Sequence, residues 1–331
     1  MLVLGSNSST LAAVPRPVRG PCYFAFPLSA GCGQIARTSL LIMQTFAQSA
    51  IRALLRCPVC MAAALQDSPS GLSCTNCNHV FDINGGVLDL RTADGPQHAY
   101  PFYASSSYRL FADKQTELHQ EHYRRGSLSN AIEGSMKKAL RALRTDVSGP
   151  LVELGCGGTP MVDWATHPSG YVGVDQSLEL LQRAKSANPE ATFIAANLHR
   201  LPFVDRCLSV VVANAVLEHV FRLEVSVEEI ARCLNVDGSL YVLVPTEGGL
   251  AVEVARAVTS RRNARILGIS VQECRNAQTK DHCNSVFAIG NALKKHFQFD
   301  QTRYWPFPLG GAHANLAKMW VARPLSADGT R

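Results

Sequence analysis

Between residues 149 and 245 five short apolar runs, PLVELG, GYVGVD, ATFIAA, CLSVVVANA and GSLYVLVP, alternate with stretches of helical periodicity. Runs this short and this uniformly apolar are strands buried on both faces. Their alternation with helices predicts a parallel sheet covered on two sides. Downstream, one helical stretch (NSVFAIGNALKKHF) precedes two further strands, QFDQTRYW and LAKMWVA. The short connection between those two predicts an antiparallel pair at one edge of the sheet.

The turn after the first strand, LVELGCGGTP, carries Gly155, Gly157 and Gly158, then Thr159 and Pro160 in positions that suit a helix N-cap and first turn. Glycines let a ligand approach the backbone, and a helix start offers unpaired N–H groups. A dinucleotide fingerprint would place its third glycine where Pro160 stands, which counts against a nicotinamide or flavin enzyme. Asp175 ends the second strand, where a carboxylate can accept both hydroxyls of a ribose or, alternatively, cap the next helix.

Upstream lies a second feature. Cys57, Cys60, Cys74 and Cys77 have the spacing Cys-x2-Cys-x13-Cys-x2-Cys, two knuckles able to supply the four thiolates of a closed structural zinc site. The competing readings are redox thiols, or His79 replacing Cys77 as a ligand. A module of about forty residues needs such a staple, because it cannot close an adequate core alone. Phe81 and Leu88 are expected to cover the metal side, and Gly85-Gly86 to form a turn.

These motifs resemble, in order, those of the class I methyltransferases that use S-adenosylmethionine, and in particular the ubiquinone and menaquinone methyltransferase-like (type 11) subgroup. The resemblance spans about residues 149–245: ELGCGG is similar to the first motif, VGVD to the second, ANLHRLPFVDRCLSVVVANAVLEHV to the third and fourth, and IARCLNVDGSLYVLVP to the helix, turn and fifth strand. It implies an α/β, Rossmann-like seven-stranded methyltransferase sheet, last strand antiparallel, here with a small N-terminal zinc ribbon of Trm112-like kind.

Carried onto this chain, the resemblance makes Glu153 an indirect partner of the methionine amino group and the backbone of Gly155, Cys156, Gly157 and Gly158 the floor under the cofactor. Asp175 would hold the ribose hydroxyls with Gln176 also in the cofactor site, Asn197 and Leu198 would meet the adenine edge, and Asn214 the methionine and acceptor end. Asn197 stands where the family often has Asp, and NVDGS replaces the usual Lys-Pro-Gly-Gly turn. His219 is the one candidate catalytic side chain, with capping or packing as its other reading; Cys156 and Cys207 are expected to be spectators. The Asn/Asp-Pro-Pro-aromatic signature of amino-directed nucleic-acid methyltransferases is absent from the fourth motif.

The expected organisation is a disordered or misassigned extension over 1–43, a zinc ribbon over 44–92, a linker and helix over 93–148 and the methyltransferase domain over 149–325. Residues 1–42 contain no acid; the first in the chain is Asp67. That composition fits a transit peptide, a disordered tail, or translation that starts at Met43. Eleven cysteines, an odd number scattered through apparent strands and helices, favour a reducing compartment, and the cytoplasm is expected. No membrane span is expected either.

A net charge of +6 on 331 residues permits an acidic partner without requiring one. Charge alone decides nothing, and the acceptor is expected to be a small molecule. An alternative is a base in ribosomal RNA, recognised through the ribbon; another is a non-catalytic scaffold whose ribbon docks a protein. Arg256, Arg261, Arg262 and Arg265, and the aromatic group Tyr304, Trp305 and Phe307, are the candidate acceptor-selecting regions, or else ordinary surface.

Overall fold

The structure is a computed structural model that describes residues 51–92, 114, 134, 149–160 and 170–325. The expected N-terminal extension, most of the 93–148 linker and helix, and the helix expected after Pro160 lie outside the described residues.

Four antiparallel strands open the described chain: β1 (Leu65–Ser68), β2 (Gly71–Cys74), β3 (Val80–Asn84) and β4 (Val87–Asp89). Gly85 and Gly86 form the tight β3–β4 turn, with φ of 61° and 79°. Two consecutive left-handed residues match the twist of a hairpin, and glycine adopts them without steric cost.

The strands β5 (Leu151–Leu154), β6 (Tyr171–Asp175), β7 (Thr192–Ala195), β8 (Leu208–Asn214) and β9 (Leu234–Pro245) follow, and all their mutual pairings are parallel. Helices α1 (Leu178–Ala187) and α2 (Leu223–Cys233) connect them, the first capped by Ser177, whose hydroxyl accepts the Leu180 N–H. After β9 come α3 (Leu250–Leu267), α4 (Val271–Asp281) and α5 (Val286–Lys294), then β10 (Phe297–Trp305) and β11 (Ala317–Pro324). Gly268, left-handed, stops α3, and a reciprocal Ser270–Glu273 capping box starts α4.

The strand order is β1-β2-β3-β4-β7-β6-β5-β8-β9-β11-β10, and β11 runs antiparallel to both its neighbours. Its last seven members are the expected seven-stranded sheet with the final strand antiparallel. The ribbon, expected as an appended module, instead extends that sheet. β4 pairs parallel with β7, Leu88 opposite Ile194 and Asp89 opposite Ala195. Ile51, Leu55, Leu72, Phe81 and Leu90 join the same buried cluster as Val152, Ile194, Leu201 and Phe203. The physical reason is exposure: β7 would otherwise present an unpaired edge, which β4 covers.

NVDGS also differs from expectation. It is not a free turn but part of the twelve-residue β9, and the β8 pairing slips between Leu208 and Val210 to accommodate it. Among the described residues no helix is long and apolar enough to cross a membrane.

Candidate functional site

The sheet order reverses around β5, whose neighbours are β6 and β8, and a crevice opens there at the carboxyl ends of the strands. Gly155 makes the turn into it with φ of 66°, and a Cβ there would stand 2.4 Å from a Val216 methyl. Asp175 faces Gly155 across this turn. Its carboxylate accepts the Gly157 N–H at 3.0 Å and the Ser177 N–H at 2.8 Å. Ser177 is the helix cap, so the capping reading of Asp175 falls away. Burial raises the Asp175 carboxyl above the usual carboxylate range, against the pull of those backbone N–H groups.

Glu153 lies beneath the turn, 2% exposed, and accepts the Tyr171 hydroxyl at 2.6 Å. Cys156 is buried beside it, and desolvation followed by the charges of Asp175 and Glu153 pushes its thiol far up. A neutral thiol is a poor nucleophile, in keeping with a spectator role.

The crevice is lined by Gly155, Asp175, Gln176, Leu198, His199, Val216, His219, Val220, Phe221 and Arg222. Five of these were expected from sequence. Glu153, Cys156 and Asn197 are buried beside the lining, Gly157 is tied to it through Asp175, and Gly158 packs near Leu180. Asn214 ends β8 without lining the crevice. His199, Val216, Val220, Phe221 and Arg222 were not anticipated. They follow β7 and β8 in loops with no periodicity to mark them, and only their place after strand ends could have flagged them.

A larger surprise is the ribbon's exit. The Leu90 N–H donates to the Ala195 carbonyl at 2.8 Å, and Arg91, held at two points by Asp89, donates to the Gln176 carbonyl at 3.4 Å. The Asn197 amide nitrogen reaches the Thr92 hydroxyl at 3.5 Å. Residues 90–92 thus abut the Asp175 and Asn197 side of the crevice.

His219 also lines the crevice. Burial works against its imidazolium, but Asp281, with Nδ1 to Oδ2 at 3.3 Å, and Glu218 outweigh it and push its pKa up to about 9. Paired in that way, His219 favours its protonated form, which is badly suited to act as a general base. Of the arginines expected to select an acceptor, Arg256 is committed to Glu247 and Glu253 and is only 14% exposed, whereas Arg261, Arg262 and Arg265 are exposed. Tyr304 lies under Lys318, and Phe307 is 61% exposed.

In the ribbon the four cysteine sulfurs lie within 4.8 Å of one another, with Cys57–Cys77 at 3.7 Å and Cys60–Cys74 at 3.5 Å. Thiolates around one tetrahedral zinc stand about 3.8 Å apart, so these sulfurs fit such an ion. The two knuckles are alike: Met61 and Asn78 are left-handed, and their N–H groups return to the carbonyls of Cys57 and Cys74. The Ala62 N–H draws the Cys60 thiol down to about 6. His79 is exposed and stacks on Phe81 at 4.6 Å, outside the sulfur group.

Residues 152–242 match a family described as "Methyltransferase domain". No protein of curated function matches the chain in sequence. Similar solved structures include an S-adenosylmethionine dependent methyltransferase from Mesorhizobium loti, 18% identical, with a TM-score of 0.42, covering 56% of this chain and 96% of the other. A chain from the complex of the Haloferax volcanii Trm112 methyltransferase activator with a methyltransferase is 15% identical, with a TM-score of 0.45, covering 66% and 97%. The N-methyltransferase NodS from Bradyrhizobium japonicum WM9, in complex with S-adenosyl-L-homocysteine, is 11% identical, with a TM-score of 0.44, covering 62% and 91%. Strand order and family match together define residues 152–242 as a methyltransferase domain.

Proposed function

We propose that the protein transfers the methyl group of S-adenosylmethionine to a small-molecule acceptor bound in the crevice beside His219. The observation that carries this reading is Asp175: a carboxylate at a strand end, oriented by Gly157 and Ser177, facing the cleft of a methyltransferase sheet. It would accept the ribose hydroxyls, with the Gly155–Gly158 backbone beneath the cofactor. Asn197, its amide nitrogen on Thr92, has its amide oxygen to accept an adenine amino group. Leu198 would cover the adenine edge, and Glu153, locked by Tyr171, would act on the methionine end through the turn.

Methyl transfer from a sulfonium is an in-line displacement in which the donor's charge disappears, so alignment dominates the rate. The protein's contribution is to bind, orient and exclude water. The Cys57, Cys60, Cys74 and Cys77 group would hold a structural zinc ion, which supplies no chemistry to the reaction but shapes the segment ending at Thr92.

Commitment of Arg256 to Glu247 removes one charge from the basic surface that an RNA acceptor would use. Calorimetry with S-adenosylmethionine tests the central claim; no binding at millimolar cofactor refutes it. Labelled cofactor incubated with fractionated small-molecule and RNA extracts then identifies the acceptor class. Label appearing only in RNA would replace the small-molecule reading.

A further inference from the structure

Three segments distant in sequence meet beside the crevice. The turn Leu217–His219 brings Glu218 and His219, the residues after β9 bring Glu247, and the end of α4 brings Asp281 with His282 next to it. One ligand atom from each of His219, Asp281 and His282 lies within 4.8 Å of the other two. The two imidazoles meet edge to face with centroids 4.6 Å apart. His282 Nδ1 is 2.7 Å from Glu247 Oε1, and Glu247 is itself anchored by Arg256. A histidine that binds a metal commonly directs its second ring nitrogen to such a carboxylate, which fixes the ring.

A separate observation concerns Glu218. It is 1% exposed, yet among the described residues its Oε2 has no hydrogen-bond partner, while Oε1 stands 3.9 Å from His219 Nε2. Its charge acts on His219, His282 and Glu247, so it belongs to this cluster. A buried carboxylate oxygen without a donor is costly, and a cation in the cluster would answer it.

We propose that His219, Asp281 and His282 bind a divalent transition-metal ion, with Glu218 balancing its charge. Two imidazole nitrogens and one carboxylate oxygen suit ions such as zinc, cobalt or iron(II) better than calcium or magnesium. Three protein ligands leave coordination positions open. The three side chains are 32%, 27% and 27% exposed, and His219 lines the crevice that Asp175 also lines, so an acceptor can reach the ion.

Its use there rests on the methyl-transfer reading. An acceptor hydroxyl coordinated to the ion loses its proton to water more readily; its oxygen takes the methyl, the carbon–sulfur bond breaks, and S-adenosylhomocysteine leaves as a neutral thioether. Binding of the ion does not depend on that reading.

The test uses the full chain with zinc already in the ribbon and Co2+ as the probe. One further equivalent of cobalt should bind with weak visible d–d absorption, without the thiolate charge-transfer band that cobalt in the cysteine site would give. His282→Gln and Asp281→Asn should each weaken that binding tenfold or more, leaving ribbon zinc unchanged. Cobalt should also raise the thermal midpoint of the unsubstituted protein, a measurement that needs no variant. No cobalt beyond the cysteine site, no rise in midpoint, or unchanged affinity in a folded variant would overturn the proposal. Cobalt bound in this way by a chain that fails to bind S-adenosylmethionine would keep the metal site and remove the methyl-transfer reading.

Discussion

The Leu90 N–H donates to the carbonyl of Ala195 at 2.8 Å, joining the last residues of the cysteine module to the strand that ends at the crevice. Two residues on, Thr92 touches Asn197, and between them Arg91 touches the Gln176 carbonyl. The cysteine module and the crevice are therefore joined by direct hydrogen bonds, and the module's integrity should be felt in cofactor affinity.

Stripping the ribbon metal with a chelator should weaken S-adenosylmethionine binding by about three- to tenfold, as expected for the loss of one or two positioned hydrogen bonds near the ligand. Calorimetry before and after chelation, with zinc content measured on the same samples, gives the answer. Unchanged affinity in zinc-free, folded protein would separate the two sites.

Asp175→Asn keeps the shape of the side chain but replaces an acceptor of the Gly157 and Ser177 N–H groups, and of the ribose hydroxyls in the proposed reading, with a weaker one. Hydrogen bonds to a charged group contribute roughly 1.5–3 kcal/mol, so cofactor affinity should drop at least about tenfold. Affinity within twofold of the unsubstituted protein would remove Asp175 from the ribose site.

Arg56 bridges the ribbon to the sheet. It is 8% exposed, with its guanidinium 3.1 Å from Asp205 and 3.7 Å from Glu229, which Arg232 also holds. Arg56→Met should lower unfolding stability by about 1 kcal/mol, well short of the cost of a broken buried pair, because Asp205 is 66% exposed and Arg232 still answers Glu229. Urea unfolding reads this directly; a change under about 0.5 kcal/mol, typical of an idle surface position, would contradict it.

Cys156, buried in the cofactor turn with its thiol far above the ordinary range, should resist alkylation at pH 8 in the folded protein. Cys156→Ala should retain cofactor binding at a cost of about 1 kcal/mol in stability. Mass spectrometry of the alkylated chain locates the modified thiols, and rapid labelling of Cys156 would argue against its spectator role.

Much of this architecture was legible because it is written in local chemistry. The valine-rich run of β8, the glycines of LVELGCGG, the terminal Asp175 and the paired Cys-x-x-Cys knuckles each impose one backbone outcome within a few residues. Strand–helix alternation then limits the topology to a parallel, doubly covered sheet. Sequence determined the sheet, the crevice floor and the sulfur cluster for that reason. The tertiary structure alone decided where Leu90, Arg91 and Thr92 fall, that β4 covers the edge of β7, and that His219, Asp281 and His282 converge. Those contacts join residues some sixty to one hundred positions apart. Strand register and the packing of α4 create them, and no local periodicity records either.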